Sequence, residues 1–107
     1  MSKPDHTLQS ILDLDRIVHE PARLAILTVL ASAEEVEFLF LQRVTGLSKG
    51  NLSSHTQKLE GTGYLETVKA FRRRIPVTSF RITEDGRSAL RAYHQQLRAL
   101  LPKGGKP

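Results

Sequence analysis

The sequence predicts a mostly helical α+β fold, in which four helices precede a β-hairpin and a last helix follows it. Apolar residues recur at helical spacing over most of the first 60 residues. Two runs rich in β-branched and aromatic residues, 64–71 and 77–82, flank a basic segment. The last helical pattern begins after Thr83, a suitable N-cap residue. These three observations predict one antiparallel hairpin within a helical domain.

Length and composition exclude several classes of protein. The chain has 107 residues and no cysteine, which predicts a single domain, 1–107, with an ordered core at about 8–101 and no disulfide or thiolate site. No two of the four histidines are spaced for a metal site, so we expect no metal and no cofactor. We find no enzyme signature. The chain lacks an apolar run of membrane length and a signal-type N-terminus, so we expect a cytoplasmic protein without membrane contact.

The first two helices are predicted from apolar spacing and from one proline. Helix one spans about 8–18, although Asp15 interrupts its apolar stripe. Pro21 is favoured at the first position of a helix, and the second helix runs from there to about residue 33. That helix is apolar most of the way round, which is typical of the buried centre of a domain. A very short strand is expected at 36–38.

The next two helices carry the functional motif. A short helix over 39–45 ends at Gly46, which fits a C-terminal stop with positive φ. Ser48 is a good N-cap for a fourth helix, which extends to about residue 61. A short helix, a tight turn and a capped helix, here at about 39–61, form a helix-turn-helix pattern. In such a motif the second helix presents its N-terminal end to a DNA major groove.

The exposed face of the capped helix and the hairpin are the predicted DNA contacts. Small, amide and basic side chains suit close approach to a groove, and no acidic residue occurs between Ser48 and Leu59. The predicted contacts on this recognition helix are Ser48, Lys49, Asn51, Ser53, Ser54, Gln57 and Lys58. The hairpin, at about 64–82, is predicted to form a wing of two or three strands. Its predicted contacts are Lys69, Arg72, Arg73 and Arg74, and the three arginines lie at the tip. The alternative for both sets is a solvated polar surface. For His55 the sequence leaves packing and phosphate contact both open.

The last helix is the predicted dimerisation element. Its apolar residues form a narrow seam at spacings of three, four and three. We expect this seam and the first helix to form a homodimer interface, which comprises Leu8, Ile11, Leu90, Tyr93, Leu97 and Leu100. The alternative is that the seam packs only on the first helix of the same chain.

The charge distribution points to a polyanionic partner. Residues 1–40 carry a net charge of −4, whereas residues 41–107 carry +9. One basic half in an otherwise ordinary soluble chain favours nucleic acid as the partner. The expected function is a DNA-binding transcriptional regulator, most simply a repressor, that binds double-stranded DNA as a homodimer. The alternatives are a winged-helix module for protein contacts alone, and a regulator with a small-molecule effector bound in a crevice between dimer helices.

The order and spacing of these residues resemble a known family. The chain is similar to the winged-helix transcriptional regulators related to the MarR and ArsR groups, and in particular to their compact single-domain branch. The matching residues are 14–19, 23–27, 46–53, 55, 59–60, 63–65, 74, 76, 78 and 80–86. The resemblance covers about residues 12–100, and it implies a winged helix-turn-helix fold and the function of a DNA-binding transcriptional regulator.

Overall fold

A computed structural model describes residues 6–101 of the chain, with side chains from residue 8 onwards. The terminal segments 1–5 and 102–107, which the sequence predicts to be frayed, lie outside the described residues. Residues 6–101 form five helices and three strands: α1 (His6–Leu12), α2 (Pro21–Ala31), β1 (Val36–Glu37), α3 (Phe38–Thr45), α4 (Lys49–Thr62), β2 (Leu65–Arg72), β3 (Ile75–Ile82) and α5 (Glu84–Leu100). This confirms the predicted helical α+β fold with a winged helix-turn-helix.

The core lies where α2, α3 and α4 pack on one another and on the lower half of the hairpin. Ile26 and Leu27 of α2 are fully buried, as are Leu41 of α3 and Leu52 of α4. Thr56 is also buried in the α4 stripe, and its hydroxyl donates to the carbonyl of Leu52 at 2.9 Å, so no polar group is left unpaired there. This core holds α4 against α2 and leaves the other side of α4 exposed.

The three strands form one antiparallel sheet in the order β1-β3-β2. β2 and β3 pair along their whole length, from Leu65 opposite Ile82 to Arg72 opposite Ile75. β1 adds only Val36 opposite Phe80 and Glu37 opposite Ser79. The sheet is therefore three strands wide near the core and a two-stranded ribbon beyond it.

Helix α1 is shorter than the sequence predicts, because Asp15 builds a turn instead of continuing the helix. The helix ends at Leu12 and not at Val18. One carboxylate oxygen of Asp15 accepts the backbone N–H groups of Ile17 and Val18, at 2.8 and 3.2 Å. Its other oxygen accepts the Tyr64 hydroxyl at 2.5 Å. Local side-chain bonding of this kind competes with helix formation, so the residue that interrupts the apolar stripe is the one that ends the regular structure.

The last helix starts against the base of the hairpin. The Thr83 side chain caps α5 by accepting the N–H of Gly86 at 3.0 Å, as the sequence predicts. Gly86 packs so close to Tyr64 that a Cβ at residue 86 would lie 2.1 Å from the Tyr64 carbonyl oxygen. The absence of a side chain at this position lets α5 approach the chain between α4 and β2. None of the described helices is long and apolar enough to span a membrane.

Candidate nucleic-acid interface

The turn between α3 and α4 fixes the direction of the recognition helix. Gly46 ends α3 with a φ of 73°, in the left-handed region predicted from its position. Ser48 accepts the N–H of Asn51 at 3.1 Å and so caps α4, as predicted. Leu52, Thr56 and Leu59 bury one side of α4. The opposite side, and the N-terminal end, therefore face outwards.

Most of the predicted recognition residues lie on that outward side. Ser53 is the one that is half-buried. The exposed ones are Ser48, Lys49, Asn51, Ser54, Gln57 and Lys58. None of the six carries an acidic group. The structure thus brings the predicted set together on one helix surface, which contains two amines, two hydroxyls and two amides.

The hairpin tip has a geometry that the sequence did not predict. Arg73 and Arg74 alone form the two-residue turn, with φ values of 51° and 68°. Two central residues with positive φ are the mark of a type I′ hairpin turn, which normally carries Asn and Gly. Arginine in this conformation is strained, and strained residues are concentrated at functional sites. Both arginines are exposed.

Arg72 lies directly before the turn, so of the three arginines predicted at the tip only Arg73 and Arg74 form the turn itself. It is the last residue of β2, opposite Ile75, and its guanidinium is paired with the carboxylate of Glu37. The pair lowers the pKa of Glu37 and raises the pKa of Arg72, in both cases mainly through the side-chain hydrogen bond. The turn is shorter than predicted, because β2 extends to Arg72 and β3 begins at Ile75, whereas the sequence indicated strand ends at residues 71 and 77.

A groove of about 700 Å³ separates the wing from α3 and α4. Lys49 and Gln57 face it from α4, and Lys69 and Arg72 face it from the wing. Its floor includes the aromatic ring of Phe80, which is buried. Part of each predicted contact set therefore lines one open groove. The predicted contacts outside its lining are Ser48, Asn51, Ser54, Lys58, Arg73 and Arg74.

Glu37 also lines the groove, and the sequence reasoning missed this residue. It is the second and last residue of β1 and directly precedes α3. The only signal in the sequence was its place in the short predicted strand at 36–38. Nothing in that position indicated that its carboxylate would meet the wing.

A polar cluster fastens α4 to the start of α2. The Arg23 side chain donates to the carbonyl oxygen of Ile17 at 2.7 Å, and its Nη1 lies 3.2 Å from Nδ1 of His55. A guanidinium only donates, so His55 Nδ1 is the acceptor. Glu20, which accepts the N–H of Arg23 at 2.8 Å, completes the cluster 4.0 Å from the same imidazole nitrogen. The half-buried imidazole is thus packed within the chain through Nδ1, one of the two possibilities that the sequence left open.

The predicted dimer seam divides into a core part and a surface part. Leu90 and Tyr93 are only 6% and 3% exposed, because they belong to the core of the protomer itself. They were wrongly expected at a surface that a second copy could reach. Leu97 is 36% exposed, and Leu8 and Ile11 of α1 are more exposed still. Helix α1 packs against α5, so these exposed apolar residues lie on two neighbouring helices.

Among the described residues, no three histidine or acidic side chains lie close enough together to hold a metal ion. Two of the histidines lie in separate polar contacts. His55 belongs to the cluster beside Arg23, and His19 lies with its Nδ1 2.7 Å from the Tyr93 hydroxyl.

Comparison with known proteins agrees with this geometry. The winged helix DNA-binding domain family matches residues 22–101. An uncharacterized protein of Methanocaldococcus jannaschii is 36% identical over 78 residues, which are 73% of this chain and 85% of that protein. The structure of a transcriptional regulator homologue from Pyrococcus horikoshii is 31% identical, has a TM-score of 0.81, and aligns over 90% of this chain and 94% of that one.

More distant structures share the fold. The MarR protein of E. coli in its apo form superposes with a TM-score of 0.63 at 18% identity, over 96% of this chain and 89% of MarR. An ArsR-family regulator also matches. The resemblance in fold to MarR and ArsR regulators that the sequence indicated is thus confirmed.

Proposed function

Because this chain belongs to the winged helix DNA-binding domain family, we propose that it is a transcriptional repressor that binds specific double-stranded DNA as a homodimer. In this proposal α4 enters the major groove and the wing contacts the backbone or the minor groove. The observation that carries it is one groove that Lys49 and Gln57 line from α4 and that Lys69 and Arg72 line from the wing. The two walls offer both kinds of contact that sequence-specific binding needs, to base edges and to phosphates.

The polar residues of α4 are suited to reading base edges. The major groove is about 12 Å wide, admits one α-helix and presents a distinct pattern of donors and acceptors for each base pair. Gln57 and Asn51 carry side-chain amides, which can pair with adenine in two hydrogen bonds. Both side chains are exposed on α4. We assign sequence readout to this face.

The wing arginines are suited to positioning. Arg73 and Arg74 are exposed and have no carboxylate within ion-pair distance among the described residues. A guanidinium is always charged and binds phosphate through a planar fork. Contacts of this kind fix the register of a protein on the duplex and make its affinity depend on salt. Lys69, on the same hairpin, lines the groove and adds positive charge to the wing.

Measurement of duplex binding at two salt concentrations, followed by selection from a random duplex library, tests the proposal. A DNA-binding regulator binds at low salt, weakens as salt rises and enriches one related set of sequences. A winged-helix module for protein contacts alone would show neither a steep salt dependence nor an enriched sequence. That outcome would replace the DNA proposal with its alternative.

Two single substitutions separate positioning from readout. Arg73→Ala should weaken binding to all duplexes alike and lower the log–log salt slope by about 0.9 for each phosphate contact that is removed, hence about 1.8 for a symmetric dimer. Gln57→Ala should leave the slope unchanged and cost about 1–3 kcal/mol at one preferred base pair. If the wing variant changed the selected sequence and the helix variant changed only the slope, the two assignments would be reversed, and an arginine that reads a narrow minor groove would be the better description.

The homodimer rests on the exposed apolar residues of α1 and α5. Leu8, Ile11 and Leu97 lie on these two neighbouring helices, outside the core and outside the groove. A two-fold dimer through this surface would present two copies of α4 to successive major grooves, about 34 Å apart. A crevice between the paired helices is also where we expect any small-molecule effector.

Sedimentation of the Leu97→Glu variant tests the dimer. A charge in the seam should shift the protein from dimer to the 12.0 kDa monomer at micromolar concentrations and should weaken DNA binding with it. Gln95→Glu is the matched control, because Gln95 is exposed on α5 away from the seam and the charge added is the same. A wild-type protein that sediments as a monomer with and without duplex would contradict the dimer.

A further inference from the structure

The groove between α4 and the wing is lined by two carboxylates as well as by cations. Three of its lining side chains are basic, namely Lys49, Lys69 and Arg72, and the acidic ones are Glu37 and Glu60. Glu37 is the one that is paired with a cation of the groove. An acidic side chain bonded to a predicted phosphate contact requires an explanation, because it opposes the charge of the DNA that the groove is proposed to bind.

The local structure around Glu37 shows that its side chain is committed to Arg72. Glu37 occupies the N-cap position of α3, but its carboxylate makes no capping hydrogen bond to that helix. Instead, both Nη atoms of Arg72 face the two carboxylate oxygens, and one of these bonds is long, at 3.5 Å. The partners come from β1 and β2, the two outer strands of the sheet. The pair therefore spans β3 and ties the outer end of the wing to the start of the helix-turn-helix.

The arrangement imitates the contact expected with DNA. A guanidinium binds a carboxylate and a phosphate with the same fork of parallel donors. The Arg72 and Glu37 side chains are 64% and 42% exposed, so solvent and a DNA phosphate can both reach the pair. Exposed ion pairs are worth little in stability, so a phosphate can displace the carboxylate without a large loss.

We propose that Glu37 is a built-in competitor for Arg72, which occupies the guanidinium in the free protein, is displaced by a DNA phosphate on binding, and thereby limits the affinity for DNA. This inference rests on the proposed function. It assigns a role to a residue outside both predicted contact sets. It also accounts for a wing in which Arg72 is held by a carboxylate while Arg73 and Arg74 are not. Two arginines then attract any duplex, and the third engages only when a phosphate lies close enough to replace the carboxylate.

The test is a double-mutant cycle on binding to a random-sequence duplex of about 30 base pairs at low salt, measured by fluorescence anisotropy. A random duplex is the appropriate probe, because phosphate contacts supply nearly all of such binding. Glu37→Gln keeps the size of the side chain and removes its charge. It should raise the affinity about five-fold per protomer, within the range that an exposed ion pair allows. In the Arg72→Gln background the same substitution should have little effect.

Glu66→Gln is the matched control. Glu66 is exposed on the same sheet and paired with Arg81 at 3.4 Å, but it lies at the other end of β2 and outside the groove. Its substitution should change the affinity by less than about two-fold, as expected for a charge that competes for no phosphate contact. Equal gains from the Glu37 and Glu66 variants, or a gain that persists without Arg72, would overturn the inference and leave only a general effect of net charge.

A lower affinity of the Glu37→Gln variant would also overturn the inference. Glu37 would then stabilise the wing in its binding position through the pair with Arg72. Thermal unfolding of each variant identifies a loss that comes from misfolding, and Glu37→Ala repeats the measurement without a polar replacement. If the wild-type protein itself binds no duplex at low salt, the proposed function fails, and this inference fails with it. Wild-type binding combined with a weaker Glu37→Gln variant rejects the inference alone.

Discussion

The two ends of the hairpin differ in what holds them. At its base, Leu65 and Phe80 are buried in the core, and the adjoining Tyr64 and Thr83 make hydrogen bonds to the rest of the chain. At its tip, every residue from 71 to 76 is exposed. One pair of strands therefore belongs to the core at one end and projects from it at the other. We infer that substitutions at the base change the stability of the fold, whereas substitutions at the tip change the interaction with DNA.

The base is fixed by several contacts at once. Thr83 donates from its hydroxyl to the Gly63 carbonyl at 2.6 Å and from its backbone N–H to the Tyr64 carbonyl at 3.1 Å. The Tyr64 hydroxyl donates to Asp15, which in turn fixes the loop between α1 and α2. The base thus connects four parts of the chain, while the tip is connected to the rest of the chain through the pair of Arg72 and Glu37.

The largest effect should come from Gly86→Ala. The new Cβ would lie 2.1 Å from the Tyr64 carbonyl oxygen and 2.9 Å from a side-chain carbon of Ile82. The backbone must move to accommodate this Cβ, and overpacking of this kind costs about 1–3 kcal/mol or more. We therefore expect the free energy of unfolding, measured with urea, to fall by an amount near the upper end of that range.

Gly61→Ala is the control for this prediction. Gly61 lies within α4, and a Cβ at this position would meet no atom within 4 Å. The variant should be neutral or stabilised by up to about 1 kcal/mol, because alanine is the better helix former. Equal losses in both variants would show that α5 does not depend on its close approach to the base.

A smaller effect is expected from Tyr64→Phe. The substitution removes the hydroxyl that donates to the Asp15 carboxylate at 2.5 Å. Hydrogen bonds to charged groups contribute about 1.5–3 kcal/mol, and we expect the lower end of this range because the tyrosine is only half-buried. DNA affinity should not change. A large change in affinity without a change in stability would contradict the division between base and tip.

The same bond predicts a specific dependence on pH. The hydrogen bond to Asp15 and partial burial raise the pKa of Tyr64 from 10.0 to about 12. The folded state therefore holds the phenol proton more tightly than the unfolded state does. The stabilisation is fully present below pH 10 and is lost as the pH rises through about 12. The stability difference between wild type and Tyr64→Phe should shrink over this interval, and a difference that is constant in pH would show that the bond to the carboxylate is not what stabilises the base.

The sequence predicts the features that depend on local residues and misses those that depend on distant ones. The caps at Ser48 and Thr83 and the turn at Gly46 were predicted correctly, because each depends on a residue type at one position. The end of α1 was not, because Asp15 bonds to a tyrosine 49 residues away. The pairing of Arg72 with a residue of β1 and the burial of Leu90 and Tyr93 in the core of their own chain also depend on packing between distant segments. The spacing of residues along the sequence does not show which distant segment they contact.

At the tip we expect the smallest change in the free energy of unfolding, and a gain in stability instead of a loss. Arg73 and Arg74 hold positive φ angles that suit Asn and Gly. The double variant that combines Arg73→Asn with Arg74→Gly should therefore be more stable than the wild type by about 1 kcal/mol in urea unfolding. It should at the same time weaken binding to all duplexes and lower the salt slope. A gain in stability coupled to weaker binding is what a strained functional turn predicts.

A second double variant separates strain from charge. Arg73→Gln with Arg74→Gln removes the same two charges but keeps a Cβ at both left-handed positions, so it should weaken DNA binding to a similar extent and gain less stability. If the Gln pair stabilises the protein as much as the Asn-Gly pair, the gain comes from relieving repulsion among adjacent arginines. If neither pair stabilises the protein, the turn is not strained, and strain gives no evidence for a function of the two arginines. The functional interpretation requires two results. The gain in stability must be specific to the Asn-Gly pair, and both pairs must weaken DNA binding.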